Sequence, residues 1–213
     1  MSSETMIDRL VAELEPVRPR KAWRDALWLS LLALVEAAMV MTMMPPRHDL
    51  AVAVTGAMFW WKTGSCFALA IAGAIALVML LDPAGNLRAA RRWIVAAAVA
   101  AFVVAVVLYG VTTMPGTLWE RLEWREGVGC LSAVFALGLP LALAIVIVAR
   151  RAAPTLPHAA AVAAGVASAG GAALLFGWVC PHSDPLYVTV WYGSAIVLGA
   201  VLARFTLPPL LRW

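Results

Sequence analysis

Three cysteines, a run of methionines and two histidines are the residues of this chain best suited to chemistry. Thiolate, thioether and imidazole bind soft and borderline metal ions, and thiols also exchange electrons. Cys180 stands two residues before His182, Cys66 and Cys130 lie far upstream, and Met39, Met41, Met43 and Met44 run toward His48. Thiolate and thioether favour Cu(I), whereas thiolate with imidazole also suits zinc or cadmium. No zinc-finger spacing is present, and Cys-x-His specifies no particular metal. Methionines in an apolar helix equally serve as flexible packing. Because the cysteine count of 3 is odd, one disulfide leaves a free thiol in a monomer. A structural disulfide and a redox- or metal-responsive role are both open to these residues. No nucleophile with a base, metal-hydrolase helix motif or phosphate loop occurs, so no enzyme and no required cofactor are expected. A soft metal ion, copper, cadmium or zinc, enters only as a signal.

The elements that position these groups follow from hydropathy. The chain of 213 residues is 63% hydrophobic and 13% charged, with a mean hydropathy of +0.88, far from the balance of a domain solvated by water. A membrane-crossing helix needs about 20 apolar residues, and six such runs fit, at 26–44, 62–81, 93–111, 127–148, 158–179 and 186–205. The expected fold is all-α, a six-helix transmembrane domain over 26–213 preceded by a short cytoplasmic segment over 1–25. Basic residues cluster beside the ends of the runs. With both termini in the cytoplasm, inner segments hold Arg9, Arg18, Arg20, Lys21, Arg24, Arg88, Arg91, Arg92, Arg150, Arg151, Arg204 and Arg212, whereas outer segments hold Arg47, Lys62, Arg121 and Arg125. The positive-inside rule selects that orientation in a bacterial inner membrane. The net charge of +4 therefore reads as topology rather than as a direct nucleic-acid surface.

In this orientation all three cysteines lie toward the outer side, which is oxidising in a Gram-negative cell. The first run follows Glu4, Asp8, Glu13, Glu15 and Asp25 without a cleavage pattern, so it is expected to stay as a signal-anchor. Glu36 is the one ionisable residue well away from both ends of a run. Its carboxyl must face the bundle, either as a structural hydrogen bond to a neighbouring serine or as an intramembrane coupling group. The fifth run is mostly Ala and Gly from Ala159 to Ala173, so it reads as the central packing helix. The outer segment Trp119-Glu120-Arg121-Leu122-Glu123-Trp124-Arg125-Glu126 reads as an interfacial anchor or a gating lid. No internal repeat suggests a two-halved transporter.

In the cytoplasmic segment Ile7, Leu10, Val11 and Leu14 recur at helical spacing, with Glu4, Asp8, Arg9, Glu13 and Glu15 mainly on the rest of the wheel. Ser2 or Ser3 caps the start, and Pro16-Val17-Arg18-Pro19 ends it. A helix this short is marginal in water, so its apolar stripe needs a surface. The membrane or its own bundle is one, and a groove on a cytoplasmic protein is the other. The mixed charge favours the protein partner.

The stretch from Ile7 to Arg18, Phe59-Trp60-Trp61-Lys62, Cys130-Leu131, Leu139-Pro140, Arg150-Arg151-Ala152-Ala153-Pro154 and Cys180-Pro181-His182-Ser183-Asp184-Pro185, in that order, together resemble the NrsF family of membrane-bound anti-sigma factors. The opening from Ile7 to Arg18 is similar to the family's leucine-spaced helix closed by Pro-Val and a base, and Phe59-Trp60-Trp61-Lys62 resembles its Phe-Trp and Lys signature. Cys130-Leu131, Leu139-Pro140 and Arg150-Arg151-Ala152-Ala153-Pro154 match its fourth helix and the turn after it. Cys180-Pro181-His182-Ser183-Asp184-Pro185, continuing to Trp191-Tyr192-Gly193, resembles its Cys-Pro...Pro...Trp-Tyr-Gly ending. The resemblance implies that the N-terminal segment, through Ile7, Leu10, Val11 and Leu14, binds an extracytoplasmic-function sigma factor. It also implies that Cys130 and Cys180 sense a heavy-metal or oxidative signal. Cys66 lies outside that pattern and, with His182, is a possible auxiliary ligand. The switch it suggests runs from modified thiols through the helices to release of the sigma factor. The rival reading, drawn from Glu36 and the methionines, is a small inner-membrane transporter or soft-metal-handling protein. The oligomeric state is not written in the sequence.

Overall fold

The computed structural model describes residues 22–82, 86–111, 116–152 and 154–211. Ile7, Leu10, Val11 and Leu14 lie outside the described residues. Among those described the chain forms helices and no strand, as expected where hydrocarbon leaves the backbone no partner but itself. The long helices are α1 (Ala22–Met43), α3 (Ala57–Leu81), α4 (Leu87–Val111), α6 (Trp124–Arg150), α7 (Pro157–Gly177) and α8 (Pro185–Thr206). Between and after them come the short helices α2 (Leu50–Ala53), α5 (Leu118–Leu122) and α9 (Pro208–Leu211). Six helices are long and apolar enough to cross a membrane, so the expected fold class holds. α6 continues through Pro140, which a helix within a membrane tolerates because neighbouring groups re-satisfy the freed carbonyl.

α7 is the axis. It packs against α3, α8 and α6, and the run from Ala163 to Gly170 is buried throughout. Its small residues are what permit the approach. A Cβ on Gly73 of α3 would stand 2.6 Å from the Ala167 amide nitrogen, and one on Gly165 would stand 2.7 Å from the Gly199 carbonyl oxygen of α8. α1 and α4 are peripheral: in α4 only Ala90 and Ala105 are buried, and the exposed Val99, Phe102, Val103 and Val106 form an apolar surface suited to lipid.

The sequence reading needs correction at two places. Hydropathy puts Lys62 at the outer start of its span; α3 begins five residues earlier at Ala57, and Lys62 is fully buried in its second turn. Apolarity counting ends a span at a charge, whereas the helix continues because partners elsewhere satisfy the ammonium. Glu36 is accordingly not alone among buried ionisable groups. It is 9% exposed on α1, and its Oε1 has no hydrogen-bond partner among the described residues.

Candidate functional site

All three thiols are buried at one end of the bundle, in a single apolar cluster with Val134, Phe176, Tyr187, Val188, Trp191 and Tyr192. Cys66 faces it from α3, Cys130 from the second turn of α6, and Cys180 from the turn that follows α7. All three are free thiols. Cys130 and Cys180 share this cluster and interact electrostatically. The Tyr192 hydroxyl lies beside both sulfurs without a hydrogen bond of good geometry to any described residue. Interaction with the Cys130 thiol holds the Cys180 thiol below the ordinary cysteine range; burial opposes this, and His182 and the Lys62 ammonium reinforce it. A lowered thiol is the form that attacks oxidants and binds soft metals. Cys66 also borders a lateral cavity of about 590 Å³, with Trp61, Phe102, Val166 and Ile196.

The segment from Trp178 to Asp184 is clasped from four directions. Arg47, in the connection after α1, pairs with Asp49 through two bonds of 2.6 and 2.7 Å and donates to the Ser183 hydroxyl at 3.0 Å. Lys62 donates to the carbonyl oxygens of Cys180 and His182, each at 2.8 Å, with its ammonium 5.4 Å from the centre of the Tyr192 ring. Arg121 of α5 makes a two-pronged pair with Asp184, both bonds 2.8 Å, and Asp184 caps α8 through the Leu186 amide. The fourth direction is the elbow between α5 and α6. There Glu123 takes the left-handed conformation (φ 40°), the His182 ring nitrogen Nε2 stands 2.7 Å from Glu123 and 3.1 Å from Glu126, and Nδ1 lies 3.8 Å from the Cys180 sulfur. The contacts to Cys180 and Glu123 push the imidazole pKa up, against the effect of burial.

A buried aromatic joins the elbow to α8. Trp191 donates its indole N–H to the Leu122 carbonyl oxygen at 2.8 Å and fills the place of any side chain at Gly127. A movement of the Cys180 segment is therefore mechanically linked to α3 through Lys62, to α6 through the elbow and to α8 through Asp184. Such a hub can convert a change at two sulfurs into a change of helix packing.

The structure brings Cys130, Cys180 and His182 together, and places Cys66 in the same cluster. Glu36 lies apart on α1; of the outer methionines Met39 and Met43 are exposed, whereas Met44 packs against the cysteine cluster. Sequence reasoning missed Lys62, Tyr192, Glu123 and Glu126 as neighbours of the thiols. The charged run just before Cys130 was visible, but its attachment to His182 spans 59 residues.

Comparison with known proteins follows the same outline. The family model described as negative regulator of sigma F matches residues 10–213. Over the full length of both chains, the sequence is 31% identical to the anti-sigma-F factor NrsF of Caulobacter vibrioides and 28% identical to a probable anti-sigma-F factor NrsF of Azospira oryzae. No solved structure matches.

Proposed function

The chain belongs to the NrsF family, the negative regulators of sigma F, and from that premise we propose that it captures an extracytoplasmic-function sigma factor on its N-terminal helix and releases it when Cys130 and Cys180 are modified. As an anti-sigma factor it is a regulator whose partner is a sigma factor. The amphipathic stripe of Ile7, Leu10, Val11 and Leu14 supports the first step, because an apolar face of that spacing suits a groove on a protein. Both termini are cytoplasmic in this reading, as the distribution of arginines favours, and the cysteine end faces the oxidising side of the inner membrane.

The observation that carries the second step is the clustered pair of free thiols at a segment clasped by four elements. A disulfide, formed when an external oxidant takes two electrons and the two thiols lose their protons, or a heavy-metal ion such as cadmium displacing those protons and bridging the two sulfurs, imposes a sulfur spacing and direction that the free thiols do not have. The segment that carries Cys180 must then shift, and its couplings to α3, α6 and α8 shift with it. Release follows only if the two packings differ in affinity for the partner.

Co-purification of the full-length protein with the sigma factor of its own genome tests the first step. Recovery should depend on Leu10 and Leu14; a full-length protein that retains no sigma factor would refute capture. A reporter of the sigma factor tests the second. Cys130→Ser or Cys180→Ser should abolish induction by cadmium or oxidant, and an undiminished response would return these thiols to a packing role.

A further inference from the structure

Beside the thiol pair, at the elbow, three ligand atoms of another kind converge. The outermost carboxylate oxygens of Glu123 and Glu126 and Nε2 of His182 all lie within 4.8 Å of one another. Glu123 and His182 border a cleft of about 560 Å³ together with Gly116, Glu120 and Tyr187. We propose that Glu123, Glu126 and His182 form a site for one borderline divalent cation of the zinc class, separate from the two thiols and next to them.

The first argument is a mismatch of protons. A ring nitrogen carries one N–H, yet Nε2 stands 2.7 Å from one carboxylate and 3.1 Å from a second. One proton satisfies one carboxylate well and leaves the other facing a like charge. The guanidinium at the same cleft, Arg121, is already engaged by both oxygens of Asp184. A divalent ion satisfies the two carboxylates and the imidazole together, and an open fourth position in the cleft admits water.

The second argument is that the imidazole is held as a metal ligand is usually held. Its ring stacks on the buried Tyr187, with centroids 4.5 Å apart and planes 20° apart. Its carbonyl oxygen is fixed by Lys62, and its other nitrogen points at the Cys180 sulfur. A hydrogen-bond partner on the second nitrogen sets ring orientation and tautomer in metal sites. With Nε2 on the ion, Nδ1 must carry the proton and donate it to Cys180, so an occupied site acts directly on the thiol pair. Two carboxylates and one imidazole select zinc-class ions over Cu(I), which prefers sulfur, and over calcium, which prefers oxygen alone.

The test titrates the full-length protein in detergent micelles with Co²⁺, then displaces it with Zn²⁺. One Co²⁺ per chain is expected, with d–d absorption in the visible and no sulfur charge-transfer band. The Cys130→Ser/Cys180→Ser variant should keep that spectrum. Glu123→Gln/Glu126→Gln should weaken binding by more than about tenfold, and Glu126→Gln alone, at an exposed side chain, should weaken it with the helical circular dichroism unchanged. Both carboxylate variants should still co-purify with the sigma factor, so loss of capture bears on the proposed function and loss of Co²⁺ on this site. A folded wild type that binds no Co²⁺ overturns the proposal. So does binding that the cysteine variant abolishes and the glutamine variants leave intact.

Discussion

Lys62 is the residue on which the cysteine end depends. Fully buried and paired with no carboxylate among the described residues, it spends two hydrogen bonds on the backbone on either side of Pro181. Lys62→Met fills the space of the stem but strands two buried carbonyl oxygens, each costing about 1–3 kcal/mol. The expected result is a lower melting temperature in detergent and faster alkylation of Cys180 than in wild type; an unaltered alkylation rate would show that the segment keeps its place without the ammonium. His182 gives a second prediction. Its pKa is raised in the folded chain from a reference of 6.5, so its contribution to stability is fully present below about pH 6.5 and lost as pH rises through the raised value. The melting-temperature gap between wild type and His182→Gln should therefore be wider at about pH 6 than at about pH 8.5. Cys180 and His182 were legible as candidate ligands from their chemistry alone. Lys62 was not, since a lysine beside an apolar run looks like the end of that run until the carbonyls that neutralise the cost of burying it are seen.

At the scale of elements, the spans themselves were readable because hydrocarbon imposes both length and composition, and α7 announced its central place through its alanines and glycines. The ends were less so: α3 and α4 each start about five or six residues before their hydropathy runs, where the charged side chains of α4 lie in a helix that has already begun and the lysine of α3 is turned inward. Packing between α7 and its neighbours rests on backbone approach, so Gly165→Leu should separate α7 from α8 and reduce the yield of folded protein, whereas a change at Gly110, which meets nothing within 4 Å, should leave the yield unaltered. Gly127 is the corresponding point at the elbow. Because Trp191 occupies the place of its side chain, Gly127→Val should cost about 1–3 kcal/mol by overpacking and displace the tryptophan, read as a shift in its fluorescence. An unshifted spectrum would mean that the elbow yields instead.

At the scale of the whole molecule, the bundle has a rigid centre and loosely attached flanks. α3, α7 and α8 share close backbone contacts, while α1 meets α6 and α7 over a small area and buries only Glu36 and Val40 among its described side chains. Residues 1–21 precede α1, which, like α4, is little embedded in the bundle. Replacing Leu10 and Leu14 by aspartate should abolish sigma-factor recovery without changing melting of the bundle; a parallel loss of melting temperature would instead place that stripe on the bundle itself. The bonds made by Lys62 also dictate an order of birth. Its two acceptors lie 118 and 120 residues further along the chain, so α3 leaves the ribosome long before the groups that make its charge tolerable exist. The newborn hairpin must wait, its lysine reaching for the headgroups, until α7 arrives and draws it in. A chain arrested before Cys180 should accordingly keep Lys62 reactive toward a water-soluble amine reagent, and the finished protein should not.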